Sequence, residues 1–309
     1  MASILQTALE LGLITSLTVL ALFLSYSMLN VCDLSTDGCF TLGAAVGAVV
    51  AIAGHPYLSV LAAMCAGVMS GLVTALLQTR LGVDSLLAGI IVNTGLYSVN
   101  IAVMGGSSLL NMNKTETVFT RLRGALDGTV LAGAYKSVAA LLAVALVIVF
   151  LALFLRTRLG LAIRATGNNP DMVRSSSIDP AFTTIVGLCV ANAFTALSGC
   201  LLAQAQKSVS IDLGSGMVTI ALASLLIGRG ISDRGSIPLR AVCAVLGALI
   251  FRFVYAVALR FNMPAFMLKL VSSVIVIVAI SGPYLKSRCP ELHRRLTHER
   301  ALAQGKEAR

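Results

Sequence analysis

The feature that most constrains this chain is a succession of apolar runs, each close to twenty residues long, filling most of its 309 residues. A helix crossing the hydrocarbon core needs about 20 mostly apolar residues. About eight stretches approach that length, centred on Thr18, Val46, Met64, Asn93, Ala145, Val190, Val245 and Val274. A further run, residues 217–227, is apolar but too brief to cross untilted, as re-entrant or broken segments are. Lipid offers no partner to backbone N–H and C=O groups, so these spans must be helical. The pattern predicts an all-α polytopic membrane protein with about eight to nine transmembrane or broken helices.

Charge supports the same reading. Only 12% of residues are charged, against about 25% in a typical soluble domain. The net charge of +10 does not mark a nucleic-acid partner, because the basic residues sit in short stretches between apolar runs. That distribution is what membrane topology requires. Arg156, Arg158, Arg164 and Arg174 crowd one connection; Arg229, Arg234 and Arg240 another; Lys286, Arg288, Arg294, Arg295, Arg300, Lys306 and Arg309 the tail. All three are placed in the cytoplasm. For the parity to close, the short run before Arg229 must complete a crossing with part of the preceding loop. Arg80 then also lies inside, and residues 107–128 lie outside despite Lys114, Arg121 and Arg123. The N-terminus, with no basic start, reads as a first helix lying outside at its beginning. The expected organisation is a transmembrane unit over 1–285, with a cytoplasmic segment at 158–178, and a basic cytoplasmic tail over 286–309.

That cytoplasmic segment is the most informative. Residues 160–174 read GLAIRATGNNPDMVR, too polar to span and too rich in helix and turn signals for a slack linker. Gly167-Asn168-Asn169-Pro170 signals a turn, and Asn169 can cap a helix beginning at Pro170. A short helix-turn-helix of this size suggests a docking element.

At these residues the chain resembles the permease subunits of bacterial ABC importers of the branched-chain amino acid and simple-sugar type. The pattern Gly-x-Ala-x-Arg-Ala-x-Gly-x-Asn, followed by Met172 and Arg174, is similar to their coupling-helix region. Asp33 through Ala44 resembles the segment after their first helix. A third match runs from Ala191-Asn192-Ala193 through Ala196-Leu197-Ser198-Gly199 to Ala203-Gln204. The likeness is closest to a subgroup that includes permeases assigned to aromatic amino acids. It departs at Met267-Leu268-Lys269, where an acidic residue is expected before Leu-Lys. The resemblance implies residence in the bacterial cytoplasmic membrane and a short cytoplasmic coupling helix. It implies three partners: a separate ATP-binding cassette ATPase, a substrate-binding lipoprotein outside, and a second copy of the chain. No cofactor is implied. The small solute is expected to be an amino acid or a similar polar molecule. Arg164, Ala165, Gly167, Asn168, Asn169, Met172 and Arg174 are the expected ATPase-docking residues, with small Ala165 and Gly167 allowing close approach.

Five polar residues are candidates for the translocation path. Asp33 and Asp37 flank a break beside an apolar run; carboxyls at such depth usually face a cavity or a partner. They either mark a broken helix lining the path, or lie in a cytoplasmic turn with Asp37 as N-cap. Asn93 and Asn100 are seven apart and share a helix face. Asn192 lies in another span. For all three Asn, pore lining competes with hydrogen bonding between helices. Arg252 and Lys269 either snorkel to the interface or receive an anionic group. The seven cysteines form no C-x-x-C pair and read as small hydrophobes.

The chain has no G-x-x-x-x-G-K-[ST] phosphate loop and no H-E-x-x-H. It is therefore neither an ATPase in its own right nor a zinc protease. The remaining alternative is an ion-coupled secondary transporter, which calls for paired carboxyls at mid-depth and an inverted repeat. No internal repeat is visible in the sequence.

Overall fold

The computed structural model describes residues 2–126, 134–232, 235–260, 270, 272–278 and 281. Nearly all of these are helical, as the hydropathy pattern requires. Helix α1 (Ala2–Leu22) runs on as a π-helical segment, Phe23–Met28. It is followed by α2 (Thr36–Ile52), α3 (Pro56–Thr79), α4 (Ser85–Val103), the short strand β1 (Leu109–Asn111), α5 (Val118–Leu126) and α6 (Tyr135–Phe154). Then come α7 (Arg158–Asn168), α8 (Pro170–Ser175), α9 (Pro180–Gln206), β2 (Ser208–Ser210), α10 (Met217–Ile231) and α11 (Ile237–Arg260). Six helices are long and apolar enough to cross a membrane; α2 and α10 are apolar but shorter. The expected centre at Val274 falls in a described helical stretch. Lys269 and the basic tail of 286–309 lie outside the described residues.

Local chemistry sets the helix ends. Pro56 opens α3 at a position where its missing N–H is no loss. Asp84 caps α4 by accepting from Leu86 N at 2.9 Å. The tight turns before these helices use Gly54 and Gly82 at positive φ. Burial then sorts the helices. Helices α1 and α9 are central, each 78% buried over its most apolar window, whereas α6 is only 22% buried. Leu141, Leu142, Leu146, Val149 and Leu153 stand exposed along α6. In water such a stripe would aggregate; in a bilayer it is the lipid-facing surface.

Close packing is bought by small residues. A side chain at Gly43 would strike the backbone of Ala196, and one at Gly199 the carbonyl of Phe40. So α2 and α9 touch nearly backbone to backbone, which in a bilayer is what draws helices together. Gly67 and Gly71 of α3 meet Asn192 and Leu188 in the same manner.

The contacts also reveal an order that the sequence hides. Helix α2 packs on α3 and α9, while α10 packs on α11 and α1. Likewise α3 packs on α9, and α11 packs on α1. Exchanging α1–α2–α3 for α9–α10–α11 reproduces the packing with direction reversed, because α1 and α9 are antiparallel: Ser198 bonds Ile14 at one end and Leu29 meets Gly187 at the other. The structure thus has the inverted arrangement that the sequence does not show, and its absence is no argument against an ion-coupled carrier.

Candidate functional site: a polar cavity at mid-depth and a capped helix pair

After Met28 the chain leaves the helix, turns at Asn30 with φ 58°, and becomes helical again only at Thr36. This stretch runs inward beside α9. Asp33 Oδ2 accepts from Asn192 Nδ2 at 2.7 Å, and its Oδ1 accepts from Ser35 N at 2.8 Å and Ser35 Oγ at 2.6 Å. Asn192 lies twelve steps along α9, about 18 Å from its start and about 21 Å from its end. Asp33 is therefore at mid-depth and 2% exposed. The helix is broken between Met28 and Thr36, and the break packs inside the bundle with Asp33 buried in it. Thr74 Oγ1 of α3 donates to Ser35 Oγ at 3.2 Å, completing a buried polar node among α2, α3 and α9.

Helix α10 is the second half-helix. Leaving β2 at one end of the bundle, the chain returns through residues 211–216 to mid-depth, where α10 begins. Asp37 meets it there: Oδ2 accepts from Gly216 N at 2.9 Å and Oδ1 from Val218 N at 2.8 Å. The N-cap of α2 is Ser35, whose side chain makes no capping bond to that helix. Asp37 instead caps a helix 180 residues further on, satisfying two N–H groups that have no intrahelical partner. Thr41 Oγ1 accepts from Gly214 N at 3.1 Å and secures the same loop.

Where the two helix starts meet, a cavity of about 340 Å³ opens, lined by Asp37, Gly38, Thr41, Asn93, Thr94, Tyr97, Asn100, Ile211, Asp212 and Ser215. Asn93 and Asn100 share it, as their seven-residue spacing implies. Asn100 Nδ2 donates to Gly38 O at 3.1 Å, while its buried Oδ1 has no partner among the described residues. Asp33 and Asn192 do not line the cavity; they pair with each other behind it. Thr41, Thr94, Tyr97, Asp212 and Ser215 escaped the sequence reading. Asp212 and Ser215 lie on a loop whose inward return no local pattern announces. Arg252 is held between α1 and α11, its Nε donating to Thr15 Oγ1 at 3.3 Å and its guanidinium 5.9 Å from the Tyr255 ring.

In the connection between α6 and α9, Thr157 caps α7 by accepting from Gly160 N at 3.2 Å. Asn169 ends α7 and caps α8, accepting from Asp171 N and Met172 N at 3.1 Å each, with Pro170 in the first turn. The buried face of α7 is Ile163 and Thr166, whose Oγ1 lies 2.8 Å from Thr183 Oγ1. Gly167 belongs to this inner side: a side chain there would strike Met28 O and Leu29. Its smallness serves a contact within the chain. Ala165 and Arg164 are half-buried, and Asn168, Asn169, Met172 and Arg174 are exposed. Leu161 and Met172 are 53% and 57% exposed on this polar surface, and Leu161 is a residue the sequence reading passed over.

A multi-pass membrane protein with two half-helices meeting at a polar mid-depth cavity, and a capped helix pair between two spans, has the build of a transport protein. The chain belongs to the family described as branched-chain amino acid transport system / permease component, whose model matches residues 4–280. It is similar to the tyrosine transport system permease protein of Clostridioides difficile, 30% identical over 87% of this chain and 88% of that one. An uncharacterised protein of Rickettsia prowazekii is 29% identical over 91% of this chain and 98% of its own. A guanosine ABC transporter permease protein of Bacillus subtilis is 26% identical over 57% and 58%. No solved structure matches significantly. The chain is thus an ABC importer permease for small solutes, resident in the inner membrane and not an enzyme. Family membership, and not the lack of a repeat, removes the ion-coupled carrier. Permeases of this family work with an ATPase and a substrate-binding protein as further components.

Proposed function

We propose that two copies of this chain enclose the translocation path, each contributing one mid-depth cavity, and that the solute is an amino acid or a similarly small polar molecule. The observation that carries this reading is the one-sidedness of the cavity. Thr94 and Tyr97 line it and are exposed on α4, amid exposed apolar Ile90 and Ile91, so in a single copy the cavity is uncovered on that side. A second copy closes that wall. Helices α7 and α8 seat the ATPase through Leu161, Arg164, Asn168, Met172 and Arg174, and a lipoprotein delivers the solute from outside. ATP-driven closure of the ATPase pair pulls on these helices and tilts the two permeases between inward-facing and outward-facing states. The similarity to a tyrosine transport permease supports the solute class.

The test is reconstitution. Proteoliposomes holding this chain, its ATPase and the lipoprotein should accumulate solute when ATP is supplied. The chain alone should show no accumulation under any ion gradient. Accumulation on a proton gradient alone would overturn the reading.

A further inference from the structure

Helices α3 and α6 both pack beside α9 but share at most marginal contact with one another. Between them lies an apolar groove of about 710 Å³ whose lining includes Met64 of α3, Ala143 and Phe150 of α6, and Ala193 and Phe194 of α9. Phe150 meets Phe194 edge-on at 5.7 Å and closes its inner part. Leu61, Val68, Leu146 and Phe150 on its edges are exposed, so it opens sideways to lipid. Along α9 it extends from Ile185 to Leu201, sixteen steps or about 24 Å.

Its outer end has a basic lintel. Phe119 of α5 roofs the groove, and Val118 N bonds Gln204 Oε1 of α9 at 2.9 Å, fixing α5 across the opening. Arg121 lies 5.7 Å from the ring of Tyr57, in the first turn of α3. Arg123 lies 5.8 Å from the ring of Tyr135, the first residue of α6. Two guanidinium groups thus stand on either post of the same opening. Glu116 takes Arg121 Nε at 3.1 Å, but a guanidinium carries five N–H donors and the pairing does not exhaust it. These are the charges that run against the positive-inside pattern, so membrane insertion gives no reason for them.

We infer that the groove holds an anionic phospholipid of the outer leaflet, with an acyl chain between α3 and α6 and its phosphate at Arg121 and Arg123. The groove is lined by apolar side chains and its open side faces lipid. A chain of methylenes fits, and in a bilayer something apolar must fill the space. The phosphate complements the lintel, since guanidinium groups favour phosphate oxygens.

The experiment is native mass spectrometry on the permease–ATPase complex, extracted in mild detergent from vesicles of phosphatidylethanolamine with phosphatidylglycerol. Wild type should retain phosphatidylglycerol in preference. The surface double variant R121A/R123A should lower that retention roughly tenfold, through lost charge-assisted bonds, and leave phosphatidylethanolamine unchanged. Ala143→Phe should expel both lipids without altering charge, and the milder Ala143→Leu should do so in part. Unchanged retention in R121A/R123A overturns the proposal. So does disulfide trapping of Ala143→Cys against a second copy, which makes the groove a subunit interface, or retention of both lipids alike by wild type.

Discussion

The break at mid-depth and the helix pair proposed to seat the ATPase on the cytoplasmic side are both built from capped helix starts, but the caps come from opposite distances. In α7 and α8 each cap is local: Thr157 serves Gly160, and Asn169 serves Asp171 and Met172. At the break the cap of α10 is Asp37, from a different part of the chain, and Asp33 is held by Asn192. Water can replace a lost cap at the surface. Inside the bilayer no water stands ready, so orphaned N–H groups cost more there. The same motif is therefore a refinement in one region and a structural necessity in the other. The half-helices also place partial positive charge from their first turns at mid-depth; Asp37 offsets that of α10.

The largest expected effect is that of Asp37→Ala. It orphans Gly216 N and Val218 N at about 1–3 kcal/mol each, or roughly 2–6 kcal/mol together. Purified in detergent, the variant should unfold at clearly lower temperature, and ATP-driven uptake should be lost. Wild-type uptake from Asp37→Ala would mean that water reaches the start of α10 and that the two regions are not different in kind.

Next comes Gly167, which sits in the cytoplasmic pair yet packs like a residue of the core. Even Gly167→Ala places a methyl against Met28 O, and overpacking of this type costs about 1–3 kcal/mol. Its signature is a lower membrane level, whatever the ATPase does. Substitutions on the exposed face should behave oppositely. Leu161→Glu and Met172→Glu should leave membrane level and melting unchanged, and should lower ATPase copurification about tenfold or more by desolvating a charge at the contact. If the exposed pair copurifies normally with the ATPase, the docking surface is elsewhere.

This contrast also explains what the sequence made legible. Span positions were readable because each run is long and apolar, and the α8 cap because Asn169-Pro170 is a contiguous signal. The candidate cavity was half readable: Asn93 and Asn100 announce a shared face, and Asp37 an unusual charge. Asp212 and Ser215 were not readable, because their loop gains its place only through Asp37 and Thr41, more than 170 residues away. The inverted arrangement was hidden for a similar reason. It is a symmetry of contacts among small residues such as Gly43, Gly199 and Gly228, and small residues at close-packed interfaces leave no hydropathy signal.

The smallest effect sharpens the comparison most. Asn169→Ala removes a side chain that accepts from two N–H groups at the start of a six-residue helix. Loss of such a cap costs about 0.5–2 kcal/mol, with Asp as good a cap as Asn. Because α8 is short and exposed apart from Val173, the cost should appear as local opening and not as lower global stability. Amide exchange at residues 171–175 should quicken about tenfold, the factor that corresponds to about 1.4 kcal/mol. Uptake should fall only modestly, since ATPase contact itself favours the folded helix. Asn169→Asp should restore slow exchange, because an Asp carboxyl reaches the same two N–H groups. If Asn169→Ala exchanges as slowly as wild type, Val173 burial alone holds α8 in place. The cytoplasmic pair would then depend on burial within the chain, as the mid-depth break does, and the distinction between local and distant caps would lose its force.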